Sequence, residues 1–241
     1  MPGTLVLLPN SLGGPVADVL SPMVLPWLQK IDGLIAESER GGRRYLEQFQ
    51  GLKRAPRDLP IAVLGEHQAK EDPNWFLEPC LKGETWGYVS DAGMPCIADP
   101  GARLVQCARY NGVEVVALPG PSAPMLTLML SGLPAQQFQF HGYPPKGPED
   151  RMSWAQHCAE QFITQLCIEA PYRNRALLET LLKALPKGSR LCVAVDLMQP
   201  TQQVEVHLVE RWSVTIDGLE DRPAVFAFCP ARPESRQPRR R

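Results

Sequence analysis

Three short segments of this sequence combine small and stiff residues, and each directly follows an apolar run. They are Pro-Asn-Ser-Leu-Gly-Gly at 9–14, Asp-Ala-Gly-Met-Pro at 91–95 and Pro-Gly-Pro-Ser-Ala-Pro at 119–124. Small residues let backbone N–H and C=O groups contact a ligand, and prolines hold a loop in shape before binding. Asp91 adds one carboxylate. The three segments therefore predict a ligand site built largely from backbone.

Apolar runs that alternate with helix-like segments must position these loops. Near-continuous apolar strands separated by helices indicate a parallel sheet that is covered on both faces. In such open α/β sheets, ligands bind beyond the carboxyl ends of the strands. One helix, at 102–112, has apolar residues at helical spacing and ends at Gly112. The predicted strands are 4–9, 32–38, 59–66, 85–91 and 114–120.

The pattern changes after residue 124. Helical segments at about 125–133, 149–161 and 173–185 are followed by three strand candidates with only short connections. Successive strands without long helices between them indicate a mixed, partly antiparallel sheet. We predict two α/β domains, at 1–119 and 120–230, with the boundary near Pro119–Pro124. The arginine-rich segment 231–241 shows no periodicity and is predicted to be a disordered tail.

An alternative interpretation treats the three loops as ordinary turns. Asp91 and Asp99 would then cap the helix that begins near Gly101. That interpretation is adequate for one such loop. Three small, stiff loops at one edge of a sheet favour a ligand site instead.

Several other classes of site are excluded by the pattern of residues. No phosphate-binding loop, dinucleotide fingerprint, serine-nucleophile elbow or HExxH motif occurs, and the four histidines do not have metal-ligand spacing. We expect no metal site, and a structural or surface role for each histidine.

A formal net charge of −1 provides no general attraction to nucleic acid or membrane. The seven scattered cysteines contain no CxxC pair, which indicates a reducing cytoplasm rather than disulfides or zinc. The apolar run after Met1 is too short to span a bilayer and has no basic segment before it, so neither a signal peptide nor a membrane span is expected.

One long stretch resembles a known family. The run VSDAGMPCIADPGARLVQCARYNGVEVVALPGPSAPMLTLMLSGLP, followed by FQFHGYPP, is similar to the tetrapyrrole methylase superfamily of S-adenosylmethionine-dependent methyltransferases. Within it, the chain resembles the bacterial 16S rRNA ribose 2′-O-methyltransferases, as a divergent member. The similarity extends from GTLVLLP to PAVFAFCP.

The resemblance implies two α/β domains, a homodimer, and S-adenosylmethionine folded into a cleft between the domains. It implies that small residues follow the fourth strand because the cofactor lies on them. It also implies that Asp91 faces the cofactor's sulfonium and ammonium groups. The positions that it assigns to the cofactor are Pro9, Asp91, Ala92, Gly93, Met94, Ser122, Ala123, Ile168, Glu169 and Ala194. Two alternatives stay open here, namely a helix N-cap at Ser122 and an ion pair between Glu169 and Arg173.

The chemistry implied by the resemblance is an in-line displacement of a methyl group. The sulfonium is already a good leaving group, so the protein mainly supplies positioning and a place from which water is excluded. A hydroxyl nucleophile also needs a base or a strong acceptor nearby. Arginines would suit an anionic acceptor such as a phosphodiester, or would form structural ion pairs. The candidates at family positions are Glu37, Arg40, Glu66, His67, Glu169 and Arg173.

Departures from the family pattern concentrate on the acceptor side. A glutamate-aspartate-threonine-arginine run is replaced by Glu37-Ser38-Glu39-Arg40, and a glutamate-histidine-asparagine-glutamate run by 66–69, Glu-His-Gln-Ala. Val195 to Gln199, Val-Asp-Leu-Met-Gln, replaces arginine-glutamate-leucine-threonine-lysine, and a glutamate pair is replaced at 202–203 by two glutamines. Three functions therefore stay open. They are methylation of small-subunit rRNA at a ribose 2′-hydroxyl, methylation of a tetrapyrrole or other non-RNA acceptor, and cofactor binding without turnover.

Overall fold

The computed structural model describes residues 2–65 and 72–232. The chain divides into two compact units, Met1–Ser122 and Ala123–Arg241, which we call unit 1 and unit 2. Each unit contains its own five-stranded sheet. Each unit therefore combines a sheet with helices, which agrees with the predicted α/β fold class.

The sheet of unit 1 is entirely parallel, as the apolar runs predicted. Its strand order is β3-β2-β4-β1-β5, so β1 lies between β4 and β5. All five predicted strands are present, and most are shorter than their apolar runs because the loops begin within those runs. The strands are β1 (Thr4–Leu8), β2 (Gly33–Ala36), β3 (Ile61–Val63), β4 (Thr85–Val89) and β5 (Glu114–Ala117).

Helices cover both faces of this sheet. Alternate residues of β1 point to opposite faces, so Val6 and Leu8 pack in one apolar cluster and Leu5 packs in the other. The first cluster takes side chains from α2 and α3, and the second from α4 and α5. The helices are α1 (Val16–Val19), α2 (Val24–Leu28), α3 (Glu39–Glu47), α4 (Asn74–Leu81) and α5 (Gly101–Tyr110), with a 3₁₀ turn at Pro56–Asp58.

The start of α3 is set by local sequence. Ser38 has an extended backbone, and its Oγ accepts a hydrogen bond of 3.0 Å from the Gly41 backbone N–H, which makes it the N-cap. Gly42 is buried one turn later. A Cβ on Gly42 would lie 3.0 Å from the Ala36 Cβ and 3.1 Å from Ile61. The glycine therefore lets α3 approach β2 and β3 closely, and this places the first turn of α3 beside the carboxyl end of β2.

Unit 2 contains the predicted mixed sheet. The strand order is β6-β7-β10-β8-β9, with β6 parallel to β7 and the other pairs antiparallel. α7 and α8 pack on one face of this sheet, and α6 packs on the other. The elements are α6 (Ala123–Ser131), β6 (Phe138–Phe140), α7 (Pro148–Ala159), β7 (Thr164–Glu169), α8 (Asn174–Ala184), β8 (Arg190–Val195), β9 (Gln203–Leu208) and β10 (Ala224–Cys229).

Two further observations concern the sequence-based expectations. Within the residues that the structure describes, no helix is long and apolar enough to cross a membrane. All seven cysteines are free thiols, and four of them are buried. The predicted tail at 231–241 falls almost entirely outside the described residues, which end at residue 232.

Candidate functional site

The first two of the three predicted loops are joined by hydrogen bonds at one edge of the unit 1 sheet. Asn10 follows β1, and its backbone N–H donates to the Gly93 carbonyl at 2.8 Å. The Gly93 N–H donates back to the Ser11 carbonyl at 3.2 Å. The Asn10 side-chain amide donates to the carbonyls of Ser90 and Asp91, each at 3.0 Å. One asparagine thus fixes the loop after β4 against the loop after β1.

The third loop, at 119–124, packs against both of these loops. A Cβ on Gly120 would lie 2.2 Å from the Pro9 Cβ and 3.1 Å from the Met94 sulfur. A Cβ on Gly93 would lie 3.3 Å from the Pro121 carbonyl oxygen. Gly93 also has a φ of +71°, a conformation that side chains disfavour. The glycine at 93 is thus already required by backbone geometry and loop packing.

Asp91 presents a carboxylate at this edge that is unpaired among the described residues. The residue is exposed, and its carboxylate makes no hydrogen bond or ion pair with any described residue. Asp91 Oδ1 lies 2.8 Å from the place that a Cβ on Gly41 would occupy, so it faces the first turn of α3. Partial positive charge at a helix N-terminus stabilises a carboxylate there. The Asp91 carboxylate is therefore positioned by the fold and available to a ligand.

Glu37 supports Asp91 from the end of β2. Glu37 Oε1 accepts a hydrogen bond of 2.9 Å from the Asp91 backbone N–H. Burial raises the pKa of Glu37, and the negative charges of Asp91 and Asp99 raise it further, while the Asp91 N–H partly opposes the shift. A carboxyl group whose pKa is raised towards neutrality is better matched to accepting and releasing a proton than an ordinary glutamate. At this edge of the sheet, Glu37 has such a raised pKa.

Asp99 has the structural role that the alternative interpretation assigned to it. Its Oδ1 accepts from the Gly101 backbone N–H at 2.7 Å and from the Tyr88 hydroxyl at 2.9 Å. Its Oδ2 accepts from the Cys96 N–H at 2.8 Å. Asp99 therefore holds the start of α5, whereas Asp91 makes no such contact. The alternative is correct for Asp99 and wrong for Asp91.

A cavity of about 660 Å³ opens beside Asp91 within unit 1. The loop after β1 forms one wall, and α3 forms the other with Arg40, Arg44, Tyr45 and Gln48. Ligand pockets in proteins commonly measure about 300–1,000 Å³, so this volume suits a small molecule or part of a larger one. Arg40, a sequence-based candidate, therefore shares a wall with residues that the family pattern did not mark.

The candidates in unit 2 occupy ordered positions in its own sheet. Ile168 and Glu169 end β7, and Ala194 lies within β8 between Val204 and Val225 of the neighbouring strands. Ala194 is fully buried, and Ile168 is half-buried. Ala123 begins α6, directly after Ser122. The contact of these residues with a cofactor stays a prediction.

Glu169 and Arg173 form the ion pair that the sequence allows as an alternative. Arg173 Nη2 donates to Glu169 Oε1, which also accepts from the Ala170 N–H at 2.8 Å. The Glu169 side chain is 0% exposed and the Arg173 side chain 14%. Glu169 Oε2 and Arg173 Nε have no partner among the described residues. These spare polar atoms are the part of the pair that a ligand could use.

The described histidines make side-chain contacts within unit 2. His141 lies 2.6 Å from Gln165, His157 lies 3.0 Å from Gln161, and His207 lies 2.9 Å from Glu205. Among the described residues, no group of three or more potential metal ligands occurs. The candidates Glu66 and His67 lie outside the described residues.

Three of the departures from the family pattern make local structural contacts. Ser38 replaces an aspartate but caps α3, and serine and aspartate are comparable N-caps. Asp196 has a φ of +48°, and its carboxylate accepts from Arg222 Nε and Thr201 Oγ1 at 2.7 Å each. The Gln202 side chain accepts from the Met198 N–H at 2.9 Å. The turn after β8 is therefore held by hydrogen bonds within the turn and by Arg222, which precedes β10.

Asn10 and Tyr45 are the residues of this site that sequence reasoning missed. In the sequence, Asn10 is only one residue of a short glycine-containing turn, and its partners lie 80 and 81 residues away. An amide directly after the first strand was the only available signal. Tyr45 gave none, because an aromatic residue in a helix usually belongs to the core.

The architecture defines a class of protein: two α/β units, one with a parallel sheet whose carboxyl edge carries the candidate site, and one with a mixed sheet. A family model for the tetrapyrrole (corrin/porphyrin) methylases matches residues 17–211, and the chain belongs to this family. The fold agrees with the crystal structure of the methyltransferase CobJ, with a TM-score of 0.66, 17% identity, and coverage of 95% of both chains.

Curated relatives give a second comparison. A ribosomal RNA small subunit methyltransferase I of Xylella fastidiosa is 36% identical over 172 residues, which are 71% of this chain and 60% of the relative. A protein of the same name from Pseudomonas aeruginosa is 35% identical over 179 residues, 74% of this chain and 60% of the relative. The chain therefore spans about three-fifths of the length of the curated relatives that it matches.

Proposed function

We propose that this chain is an S-adenosylmethionine-dependent methyltransferase whose acceptor is RNA, specifically a ribose 2′-hydroxyl of small-subunit rRNA. Membership of a methylase family and the names of the curated relatives support the class and the acceptor. The observation that carries the proposal is the edge at which three loops meet beside Asp91 and Glu37.

The edge fits the proposed cofactor. Backbone groups of compact loops approach each other there without bulky side chains. Asp91 supplies a negative charge, unpaired within residues 2–65 and 72–232, for a ligand that carries positive charge. The cofactor supplies a methyl group on a sulfonium, which is already a good leaving group. From unit 1, Pro9, Asp91 to Met94 and Ser122 would hold it. The resemblance adds Ala123, Ile168, Glu169 and Ala194.

Glu37 is our candidate for the group that accepts the proton of the acceptor hydroxyl. It follows β2, lies half-buried beside Asp91 and has a raised pKa. A base that is positioned next to the reacting groups contributes by taking a proton as the new bond forms. Arg40 follows three residues later and lines the adjoining cavity, where it suits an anionic acceptor.

The experiment that tests the acceptor uses a labelled methyl donor. Small ribosomal subunits, free rRNA, total tRNA and an extract from cells that lack the protein are offered separately. We expect label in rRNA within the assembled subunit, because a net charge of −1 favours recognition of shape over general attraction to phosphates. Label in protein or in a tetrapyrrole, with none in RNA, would refute the acceptor and keep the enzyme class. Failure of the cofactor to bind would refute both.

Asp91→Ala is expected to weaken binding of S-adenosylmethionine by roughly 1–3 kcal/mol, the usual cost of losing a hydrogen bond to a charged group. Isothermal titration measures the effect directly. The matched control is Asp58→Ala, which also removes an exposed carboxylate from unit 1. Asp58 ends the 3₁₀ turn before β3, at the opposite edge of the sheet. Equal affinity in the Asp91 and Asp58 variants would remove Asp91 from the site.

The homodimer implied by the resemblance is also proposed, as is a reducing, cytoplasmic location. The free cysteines agree with the second of these.

A further inference from the structure

The wall of the unit 1 cavity formed by α3 carries two arginines that have no side-chain partner among the described residues. Arg40 and Arg44 are four residues apart, so they lie on one face of the helix one turn from each other. Both are exposed and line the cavity. Neither guanidinium forms a hydrogen bond or ion pair with any described residue. Asp91 lines the same cavity without pairing to either of them.

Arg43 lies between these two arginines in the sequence, and its guanidinium has a structural role. Arg43 donates to the carbonyls of Pro56 and Leu59 and pairs with Glu39 at 3.4 Å. It therefore ties α3 to the segment before β3. Arg40 and Arg44 make no such contacts with these residues.

Tyr45 belongs to the same wall and carries a buried hydroxyl. Tyr45 is 1% exposed and lines the cavity, and its hydroxyl has no hydrogen-bond partner among the described residues. A buried polar group without a partner costs free energy that a bound acceptor oxygen would recover. Gln48 extends the wall by one more turn, and its amide donates to the Arg44 carbonyl at 3.3 Å. The wall thus offers cationic and neutral donors and few acceptors.

We propose that this cavity binds a backbone phosphate of the RNA acceptor, with Arg40 and Arg44 as its cationic donors and the Tyr45 hydroxyl as a neutral one. The inference rests on the proposed function, in which RNA is the acceptor. Guanidinium groups present several N–H donors in a plane that matches phosphate oxygens. Glycines 13 and 14 in the opposite wall leave room for a ligand to approach backbone. A phosphate held here would lie next to Asp91 and Glu37, and so beside the proposed reaction site.

The experiment uses the full chain with two probes, inorganic pyrophosphate and a short RNA taken from the proposed acceptor region. Arg44→Gln should bind both probes several-fold more weakly, and the slope of log affinity against log salt for RNA should fall by about one. Its affinity for S-adenosylmethionine should not change. The matched control is Arg109→Gln, because Arg109 is an exposed arginine on α5, which packs on the opposite face of the same sheet.

A second variant tests the buried hydroxyl. Tyr45→Phe should bind pyrophosphate a few-fold more weakly while its unfolding midpoint stays the same or rises, because the orphan donor is gone. Equal binding of both probes by wild type, Arg44→Gln and Tyr45→Phe would overturn the inference. Weaker pyrophosphate binding with unchanged RNA affinity would also overturn it, since the cavity would then be an anion site that RNA does not use. Neither result depends on methyl transfer, so the two proposals fail separately.

Discussion

Glu37→Gln is expected to slow methyl transfer to the acceptor by about 10²–10⁴-fold, the usual contribution of a positioned general base. The glutamine keeps an oxygen that can accept the Asp91 backbone N–H, which now donates to Glu37 Oε1 at 2.9 Å. The loop after β4 should therefore stay in place. Single-turnover rates measure the loss, and titration of S-adenosylmethionine should show unchanged affinity. This combination separates a proton-accepting role from a merely supporting one.

The pH profile adds a second readout. Burial, followed by the nearby charges of Asp91 and Asp99, raises the pKa of Glu37. Only the ionised carboxylate can accept a proton, so the rate should fall as pH decreases through this raised pKa. The acid limb should therefore lie at higher pH than for an ordinary glutamate. Glu37→Gln should remove that limb.

Glu39→Gln is the matched control for this substitution. Glu39 is exposed, lies two residues further along the chain, and pairs only weakly with Arg43. Its replacement should leave both the rate and the acid limb unchanged. A wild-type rate in Glu37→Gln would contradict the assignment and leave Glu66 and His67 as candidates for the base.

The strands and the class of fold were predictable because both depend on local patterns. Near-continuous apolar runs identified β1 to β5, and Gly112, with a φ of +72°, ends α5 as predicted. The strand order β3-β2-β4-β1-β5 was not predictable in this way, because pairing depends on contacts between residues far apart in sequence. The short helices α1 and α2 were also missed, since each has at most five residues and little periodicity.

The candidate site was likewise predictable only in part. Loop composition indicated that the segments after β1, β4 and β5 meet, because parallel strands end at one edge. The Asn10 contacts, the two arginines of α3 that lack partners in the described part of the chain, and the buried Tyr45 hydroxyl were not predictable. Each depends on how segments that are distant in the sequence are placed against one another. The sequence indicates where backbone can contact a ligand. Only the structure distinguishes Arg43, whose guanidinium donates to backbone carbonyls, from Arg40 and Arg44.

The pair formed by Glu169 and Arg173 gives the largest expected change in stability. Glu169 is 0% exposed and Arg173 14%, so solvent screens the pair very little. Arg173→Met would leave a buried carboxylate without its counter-charge, and we expect the free energy of unfolding to fall by about 3–5 kcal/mol. Arg175→Met on α8 is the control, because its pair with Glu220 is 43% and 47% exposed. Solvent screens an exposed pair of this kind, so Arg175→Met should leave the urea unfolding midpoint almost unchanged.

The double variant Arg173→Met with Glu169→Gln distinguishes a structural role of this ion pair from a role in cofactor binding. Removing both charges leaves no uncompensated charge in the core, so urea unfolding should show most of the lost stability restored. If Glu169 also contacts S-adenosylmethionine, as the resemblance implies, the refolded double variant should still bind the cofactor weakly. Wild-type affinity in a stable double variant would assign the pair to structure alone. A loss below about 1 kcal/mol in Arg173→Met would instead mean that the buried carboxylate is compensated by something other than Arg173.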